Sequence, residues 1–257
     1  MVHTSVIGCG NMGSALVTGL AKSGKHSIVA CDLDPDALAA VADDADETTD
    51  DVSKAGEADV VFVAVKPDIV EAVLDGLDLS ADQTLVTIAA GVSTDFVAAR
   101  TDARVVRIMP NLAAETRDMA AAATGDLTDE VRQLLTDVGE FAEIEETQMD
   151  IATAVNGSGP AFVFYLIKAM TEAGVAGGLD HEEAELLAAQ TFKGAAETVI
   201  RDERTADELI DAVCSPNGTT IEGMEVLWDS DADESVKAAV AAAERRSKEL
   251  AAAFDDE

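Results

Sequence analysis

The first half of the chain alternates short apolar runs with stretches in which apolar residues recur every three or four positions. The runs are nearly continuous, as expected of parallel strands that are covered on both faces. They predict strands at residues 3–8, 27–32, 59–66, 84–90 and 104–108, with weaker strands at 120–123 and 141–145. Helices are predicted at 11–23, 34–43, 67–75, after Ser93 and at 128–138. This alternation indicates an α/β fold with a doubly wound sheet.

The second half, from about residue 149, is helical throughout. A polar break at 156–160 precedes a strongly apolar helix at 161–176, and an amphipathic helix follows at 181–200. In the last helix apolar residues recur at steps of four and three between Val236 and Leu250. We therefore expect two domains, 1–148 and 149–257. A helix as apolar as 161–176 cannot remain in water, so we expect this domain to pack against a second subunit. Folding back onto the first domain is the alternative.

A complete G-x-G-x-x-G pattern joins the first strand to the first helix. Gly8 can form the tight turn, Gly10 lets the backbone approach a pyrophosphate, and Gly13 lets the helix lie close to the strand. The helix N-terminus offers free N–H groups to the phosphates. We expect a Rossmann-type dinucleotide site here, and a glycine turn without a ligand is the alternative. Its predicted cofactor-binding residues are Gly8, Cys9, Gly10, Asn11, Met12 and Gly13.

Asp32 ends the second predicted strand, 19 positions after Gly13. An acid at about this distance binds the ribose hydroxyls of an adenine dinucleotide and repels a 2′-phosphate. No Arg or Lys follows until Lys54. The residues therefore favour NADH over NADPH. The alternative is that Asp32 only caps a turn or helix, because Asp34-Pro35 also resembles a helix start.

The ends of the next three strands supply further candidates, because ligands of open α/β sheets bind beside the carboxyl ends of strands. Lys66 is expected to contact the cofactor near its ribose or phosphates, and a solvated lysine is the alternative. The cofactor-binding candidates at these ends are Val65, Lys66, Ala90, Gly91, Pro110 and Asn111.

The charge balance is extreme, with 51 acidic and 17 basic residues and a net charge of −34. The acids are spread over the chain and form no single tail. Such a surface repels nucleic acids and anionic membranes, so we expect neither as a partner. Self-repulsion of this size needs screening by salt. With few lysines, few aromatic residues and many alanines, the composition is typical of a protein from a high-salt cytoplasm. An ordinary acidic enzyme is the alternative.

No apolar run approaches the roughly 20 residues needed to span a bilayer. The N-terminus shows no charged and then apolar leader, so we expect a cytoplasmic protein. The three cysteines and three histidines are scattered without metal-ligand or C-x-x-C spacing. We therefore expect buried free thiols and no metal site.

Eight segments carry a family likeness: IGCGNMG (7–13), AVKP (64–67), AAGV (89–92), RIMPN (107–111), NGSGPAFVF (156–164), LAAQTFKGAAE (187–197), DAVCSPNGTTIEGM (211–224) and RSKEL (246–250). Through them the chain resembles the pyrroline-5-carboxylate reductases over nearly its whole length. GSGPA together with SPNGTTI, after a dinucleotide fold, is highly specific. The resemblance implies a Rossmann domain followed by an all-helical domain that interlocks in a homodimer, with dimers often assembled into decamers.

The resemblance also implies a reaction, the reduction of 1-pyrroline-5-carboxylate to L-proline by NADH or NADPH. A protonated imine is already electrophilic, so hydride transfer needs positioning more than a strong acid or a metal. The turn at 215–220 leads into a helix, and its amides can hold the substrate carboxylate. A helix-capping loop is the alternative. By resemblance Thr220 is the catalytic residue, and the substrate-binding residues are Glu146, Asp211, Ser215, Asn217, Gly218, Thr219 and Thr220.

Two departures from the family pattern stand out. Leu112-Ala113 replaces the usual Thr-Pro after MPN, in a segment that lies close to the nicotinamide in the family. Asn217-Gly218 replaces two glycines, a change the turn can survive because Asn tolerates positive φ. Other functions left open are another imine reductase, a β-hydroxyacid dehydrogenase with Lys168 as the nearest candidate acid, and a non-catalytic NAD-binding module.

Overall fold

A computed structural model describes residues 1–255, with side chains to Phe254; Asp256 and Glu257, which end the predicted second domain, lie outside the described residues. The strands form one sheet in the order β3-β2-β1-β4-β5-β6-β7-β8. The first six strands are parallel, β7 is antiparallel to β6, and β8 is parallel to β7. Their bounds are β1 (His3–Ile7), β2 (Ser27–Cys31), β3 (Glu47–Thr49), β4 (Val60–Val63), β5 (Thr84–Thr87), β6 (Arg104–Met109), β7 (Met119–Gly125) and β8 (Gly139–Glu143).

Helices connect the strands and then form the rest of the chain. Those of the first half are α1 (Asn11–Ser23), α2 (Pro35–Val41), α3 (Val52–Ala55), α4 (Pro67–Asp75), α5 (Thr94–Ala98) and α6 (Asp129–Val138). Those of the second half are α7 (Met149–Ala152), α8 (Gly159–Ala176), α9 (His181–Arg201), α10 (Ala206–Val213), α11 (Thr219–Trp228) and α12 (Ala232–Asp255). The predicted α/β sheet followed by helices is confirmed.

The sheet is apolar on both faces, as its sequence predicts. Alternate residues of each strand enter opposite cores: Val6 and Phe62 lie in one cluster, and Ile7 and Val61 lie in the other. Helix α1 packs into the first cluster through Leu16, Val17 and Leu20, and α4 packs into the second. A sheet buried on both sides leaves only its edges and strand ends free for ligands.

Two parallel strands end earlier than predicted. Strand β4 ends at Val63 and not at residue 66, and β5 ends at Thr87 and not at residue 90. Both apolar runs continue past the last ladder position, into residues 88–89, which are buried, and residues 64–65, which are half-buried. Lys66 is therefore not at a strand end: it is the N-cap residue of α4.

Several elements were not predicted, among them β3, α3 and a π-helical turn. Strand β3 is the polar segment Glu-Thr-Thr at the sheet edge, so it lacks an apolar run, and the four-residue helix α3 follows it. The stretch Thr153–Gly157 forms a π-helical turn where the sequence predicted a polar break. Such turns occur frequently at functional sites.

By contacts, the chain divides into two compact units. Unit 1 contains Met1–Ser158 together with the part of α12 from Ala241 onward, and unit 2 contains Gly159–Val240. The domain boundary expected at residue 148 rests on the change of secondary structure, and it stays a prediction.

Unit 2 exposes many large apolar side chains. Helix α8 shows Phe164 at 67% and Tyr165 at 73% exposure, and α11 shows Trp228 at 56%. Exposed apolar area on this scale marks an interaction surface. Among the described helices, none combines the length and apolar character needed to cross a bilayer. Cys9 and Cys31 are buried free thiols as predicted, whereas Cys214 is only half-buried.

Candidate active site

The three motif glycines occupy three different environments. Gly8 has a φ of +96°, and a Cβ there would lie 2.8 Å from the carbonyl oxygen of Ala64. At Gly13 a Cβ would lie 1.8 Å from the Gly8 carbonyl oxygen, so α1 packs directly on the turn. Around Gly10 a Cβ would meet no atom within 4 Å. Two glycines are therefore needed by the fold, whereas Gly10 faces open space.

Helix α1 begins beside that open space. Its N-cap residue is Gly10, which has no side chain to cap it, and its first turn contains no acid. The first N–H groups of a helix have no partner within the helix. Asn11, Met12 and Gly13 therefore present amides and the positive end of the helix dipole to an anion.

Asp32 ties this turn to the end of β2. Its Oδ2 accepts a hydrogen bond from the Cys9 N–H at 2.6 Å, and its Oδ1 accepts one from the Asp34 N–H at 2.9 Å. The amide of Cys9 is thus already bonded within the protein. The carboxylate keeps further lone pairs, so Asp32 can support the turn and still accept from ribose hydroxyls. The cap of α2 is Asp34, whose Oδ1 accepts from the Asp36 N–H at 3.0 Å.

A cleft of about 300 Å³ opens over this turn. The register places Ile7 opposite both Cys31 and Val63, so the residues that follow these three strands meet at one edge. Lys66 is the only basic side chain that lines the cleft within the part of the chain that the structure describes. The lining residues are Ile7, Gly8, Gly10, Cys31, Asp32, Leu33, Val52, Ala64, Val65, Lys66, Ile69 and Val73.

The two thiols near the cleft are inert. Burial, followed by the charge of Asp32, raises the pKa of Cys9 to about 12 and that of Cys31 to about 11. Asp51 and Asp50 contribute further negative charge to the surroundings of Cys31. Because a thiolate is the reactive form, neither residue can act as a nucleophile near neutral pH.

The predicted cofactor-binding residues after β5 and β6 differ in their exposure. Ala90 is exposed, and Gly91 lies beside it with a φ of +80°. Pro110 and Asn111 are buried. The Asn111 Oδ1 accepts from the N–H groups of Ala113 and Ala120 at 3.2 and 3.3 Å. The side-chain oxygen of Asn111 is therefore already bonded within the protein. A contact between this residue and the cofactor would be made by its backbone.

A second side-chain amide, which is half-buried, bonds to the same segment. Asn156 lies in the π-helical turn, and its Nδ2 donates to the carbonyl oxygens of Met109 and Ala120, at 2.6 and 3.0 Å. Nδ2 of Asn111 donates to the Asn156 carbonyl oxygen at 3.3 Å. The two amides fix the segment after β6, which contains Leu112-Ala113. Leu112 itself is 56% exposed.

The predicted substrate turn lies in unit 2. Asn217 has a φ of +58°, so Asn does adopt the left-handed conformation here. The Gly218 N–H donates to the Ser215 carbonyl oxygen at 2.9 Å, which closes the turn. Gly218 is the N-cap residue of α11 and supplies no side-chain cap. The first amides of this ten-residue helix, including those of Thr219 and Thr220, are therefore open to an anion.

Thr220 lines an apolar groove in unit 2, together with Thr198, Cys214 and Met224. The Thr198 hydroxyl donates to the Gly194 carbonyl oxygen at 2.8 Å, as a threonine within a helix does. No such bond is made by the Thr220 hydroxyl within the described residues. A free hydroxyl in the first turn of a helix is available to a ligand.

The two acidic candidates lie in different units. Asp211 is an exposed residue of α10. Glu146 lies in unit 1, where its Oε1 accepts from Nη1 of the buried Arg107 at 2.5 Å. The sequence did not single out Arg107 or Asn156. Arg107 is a charged residue in the buried, otherwise apolar part of β6. A charge within an apolar run is the feature of the sequence that could have identified it.

Comparison with known proteins agrees with this geometry. Residues 146–250 match the family model "Pyrroline-5-carboxylate reductase dimerisation", and 4–91 match "NADP oxidoreductase coenzyme F420-dependent". The chain is 35% identical to the pyrroline-5-carboxylate reductase of Mycobacterium leprae over 97% of both chains. The chain belongs to the pyrroline-5-carboxylate reductase family.

Two solved structures of this family also match over nearly their full length. The Coxiella burnetii pyrroline-5-carboxylate reductase superposes with a TM-score of 0.86 at 31% identity, covering 97% of this chain and 98% of that chain. The Plasmodium falciparum pyrroline carboxylate reductase, solved with NADP bound, gives a TM-score of 0.81 at 26% identity with the same coverage. Family membership and the fold are thus shown together.

Proposed function

We propose that this family member reduces 1-pyrroline-5-carboxylate to L-proline with NADH or NADPH. One observation carries the proposal: the chain has two separate open helix N-termini, each led by a glycine without a side-chain cap. The first follows a dinucleotide turn, and the second follows the Ser215-Pro216-Asn217-Gly218 turn. A dinucleotide and a small carboxylate are the two anions that this reaction brings together.

The dinucleotide turn fits the cofactor. A pyrophosphate needs close approach of the backbone, and the open space at Gly10 permits it. When bound, the nicotinamide supplies the hydride. Asp32 orients the ribose, and the amides of Asn11, Met12 and Gly13 hold the phosphates. We assign this role to the domain of residues 1–148.

We assign substrate binding and dimerisation to residues 149–257. The amides at the start of α11, with Ser215 and Asn217, hold the carboxylate. The Thr220 hydroxyl lies beside the ring nitrogen, where it keeps the imine oriented. We assign Asp211 of unit 2 to substrate binding. Glu146 of unit 1 is the second acidic candidate, and Arg107 fixes its carboxylate.

The exposed apolar helices of unit 2 favour assembly of the chain with a second copy. The dimerisation family model covers this region. We propose a homodimer, with further assembly to a decamer as a larger form, in the cytoplasm of a cell with high internal salt. Neither nucleic acid nor a membrane is proposed as a partner, because the surface is strongly negative.

Three alternative functions are distinguished by experiment. A β-hydroxyacid dehydrogenase would need a lysine as general acid. The nearest candidate, Lys168, has a side chain that is 73% exposed, and its Nζ lies 3.7 Å from Oε1 of Glu172. A non-catalytic module would bind NADH without turnover. NADH oxidation measured with and without pyrroline-5-carboxylate, in molar salt, separates these functions from the proposed one and from another imine reductase.

The acidic surroundings of the cofactor cleft lead to a prediction about cofactor choice. Asp32 lies at the ribose end, Asp34 follows it, and Asp50 and Asp51 lie near Cys31. A 2′-phosphate would meet repulsion there, so we expect NADH to be used at least as well as NADPH. Steady-state kinetics with both cofactors tests this. A kcat/KM for NADPH more than about tenfold higher, equal to about 1.4 kcal/mol, would contradict it.

The net charge of −34 leads to a prediction about salt. Repulsion between carboxylates destabilises the compact state until counterions screen it. We expect the Tm to rise steeply as KCl is increased from about 0.1 M to about 2 M. Thermal unfolding curves over this range test the prediction, with sucrose as an uncharged control. If the Tm is independent of KCl, the high-salt assignment is wrong.

A further inference from the structure

The RSKEL segment, residues 246–250, has no role in the reaction as described. It lies in the part of α12 that belongs to unit 1. The residues of this part that are half-buried recur at steps of four and three. We call three of them, Ser247, Ala251 and Phe254, the α12 contact face.

The first contact of this face is a hydrogen bond. The Ser247 Oγ donates to Oδ1 of Asp150 at 2.7 Å, which joins α12 to α7 across 97 residues of sequence. Helix α7 runs directly into the π-helical turn that contains Asn156. The bond therefore fixes α12 to the part of unit 1 that already holds the segment after β6.

The second contact is with the turn after β5. The Val92 N–H approaches the Ala89 carbonyl oxygen at 3.4 Å, and Gly91 has the positive φ that the third residue of a type II turn requires. A Cβ at Gly91 would lie 3.1 Å from the Cα of Ala251. The backbone of α12 is thus packed against the back of this turn.

The third contact is with the helix that follows the turn. The Phe254 ring meets the Phe96 ring edge to face, with the centroids 4.9 Å apart. The Arg100 guanidinium lies 3.6 Å from the centroid of Phe96 and is bonded to Glu71 at 3.0 Å. Phe96 belongs to α5, whose cap Ser93 directly follows the turn. Aromatic pairs and cation–π contacts of this kind fix side chains in place.

We propose that the α12 contact face is a positioning element for the cofactor, which rests on the proposed function. It holds the Ala89–Val92 turn from behind, with Ser247 and Phe254 as the anchors on either side of Ala251. The turn lies at the carboxyl edge of β5, and its exposed residue is Ala90. A turn already fixed in its binding conformation pays no ordering cost when the cofactor binds.

Direct binding of NADH tests this proposal without using the imine. We expect Ser247→Ala and Phe254→Ala each to raise the Kd for NADH at least about threefold, measured by fluorescence titration in molar salt well below the Tm. Ser247→Thr keeps the hydroxyl and should restore wild-type binding. Glu249→Gln is the matched control, since Glu249 is exposed on the same helix and its side chain is bonded to Arg246 of that helix.

If the Tm falls in these variants but the Kd for NADH stays at the wild-type value, the contact face is only structural and the proposal is wrong. Phe254→Leu keeps apolar bulk without the ring contact, and it replaces Phe254→Ala if that variant does not fold. The outcome is separate from that of the proposed function. Wild-type protein that binds neither NADH nor NADPH would overturn the proposed function, whereas wild-type binding with unaffected variants would overturn only this inference.

Discussion

The Gly10→Ala variant should fold as well as the wild type and bind NADH about ten- to a hundredfold more weakly. The added methyl group meets no protein atom within 4 Å, and the extended backbone of Gly10 is open to alanine. In the proposed binding mode, the same methyl group occupies the space through which a pyrophosphate would approach the backbone. The Tm and the Kd for NADH, measured on one sample in molar salt, give both results.

Gly13→Ala is the contrasting variant. Its Cβ would lie 1.8 Å from the Gly8 carbonyl oxygen, so α1 must move and the Tm should fall. A Gly10→Ala protein with a Kd within about twofold of wild type would mean that no dinucleotide passes over this turn. The glycine pattern would then serve only the packing of α1.

Thr220→Ala should lower kcat/KM for the imine by a factor that corresponds to about one to three kcal/mol. NADH binding should stay nearly intact. The Thr220 hydroxyl makes no hydrogen bond within the part of the chain that the structure describes, so its removal should cost little stability. A substrate that loses this partner would lose orientation at its ring nitrogen. Steady-state kinetics and a thermal unfolding curve on the same sample measure both effects.

Two variants accompany this measurement. Thr220→Ser retains the hydroxyl and should recover most of the loss. Thr198→Ala, in the same groove, removes a hydroxyl already bonded to the Gly194 carbonyl oxygen and should leave kcat/KM unchanged. If Thr220→Ala lowers the Tm and leaves kcat/KM unchanged, the turn at residue 215 only caps a helix. The substrate site would then lie elsewhere.

The apolar pattern predicted five of the six parallel strands because their residues are mostly buried, as β1 and β4 show. It missed β3, whose residues Glu-Thr-Thr contribute no buried apolar side chain. It extended β4 and β5 too far, because apolar residues that follow a strand have the same composition as the strand itself. The hydrophobic pattern indicates which residues are buried. It does not indicate where a strand ends, because that depends on hydrogen bonding to the neighbouring strand.

The features of the candidate site also divide into those that the local sequence predicted and those that it could not. Local chemistry predicted the positive φ of Asn217 and the packing role of Gly13, since each depends on nearby backbone. The hydrogen bond from Nδ2 of Asn111 to the carbonyl oxygen of Asn156 links positions 45 residues apart. The Arg107–Glu146 pair spans 39 residues. Such partners are fixed by how the strands and helices pack, so neither residue type nor spacing could identify them.

The most direct test of the central claim is the oxidation of NADH and NADPH by the purified chain in about 2 M KCl, with and without pyrroline-5-carboxylate. We predict oxidation that depends on the imine, with one L-proline formed for each cofactor oxidised and with NADH used at least as well as NADPH. A folded protein that binds NADH under these conditions, yet shows no imine-dependent oxidation with either cofactor, would contradict the proposed function.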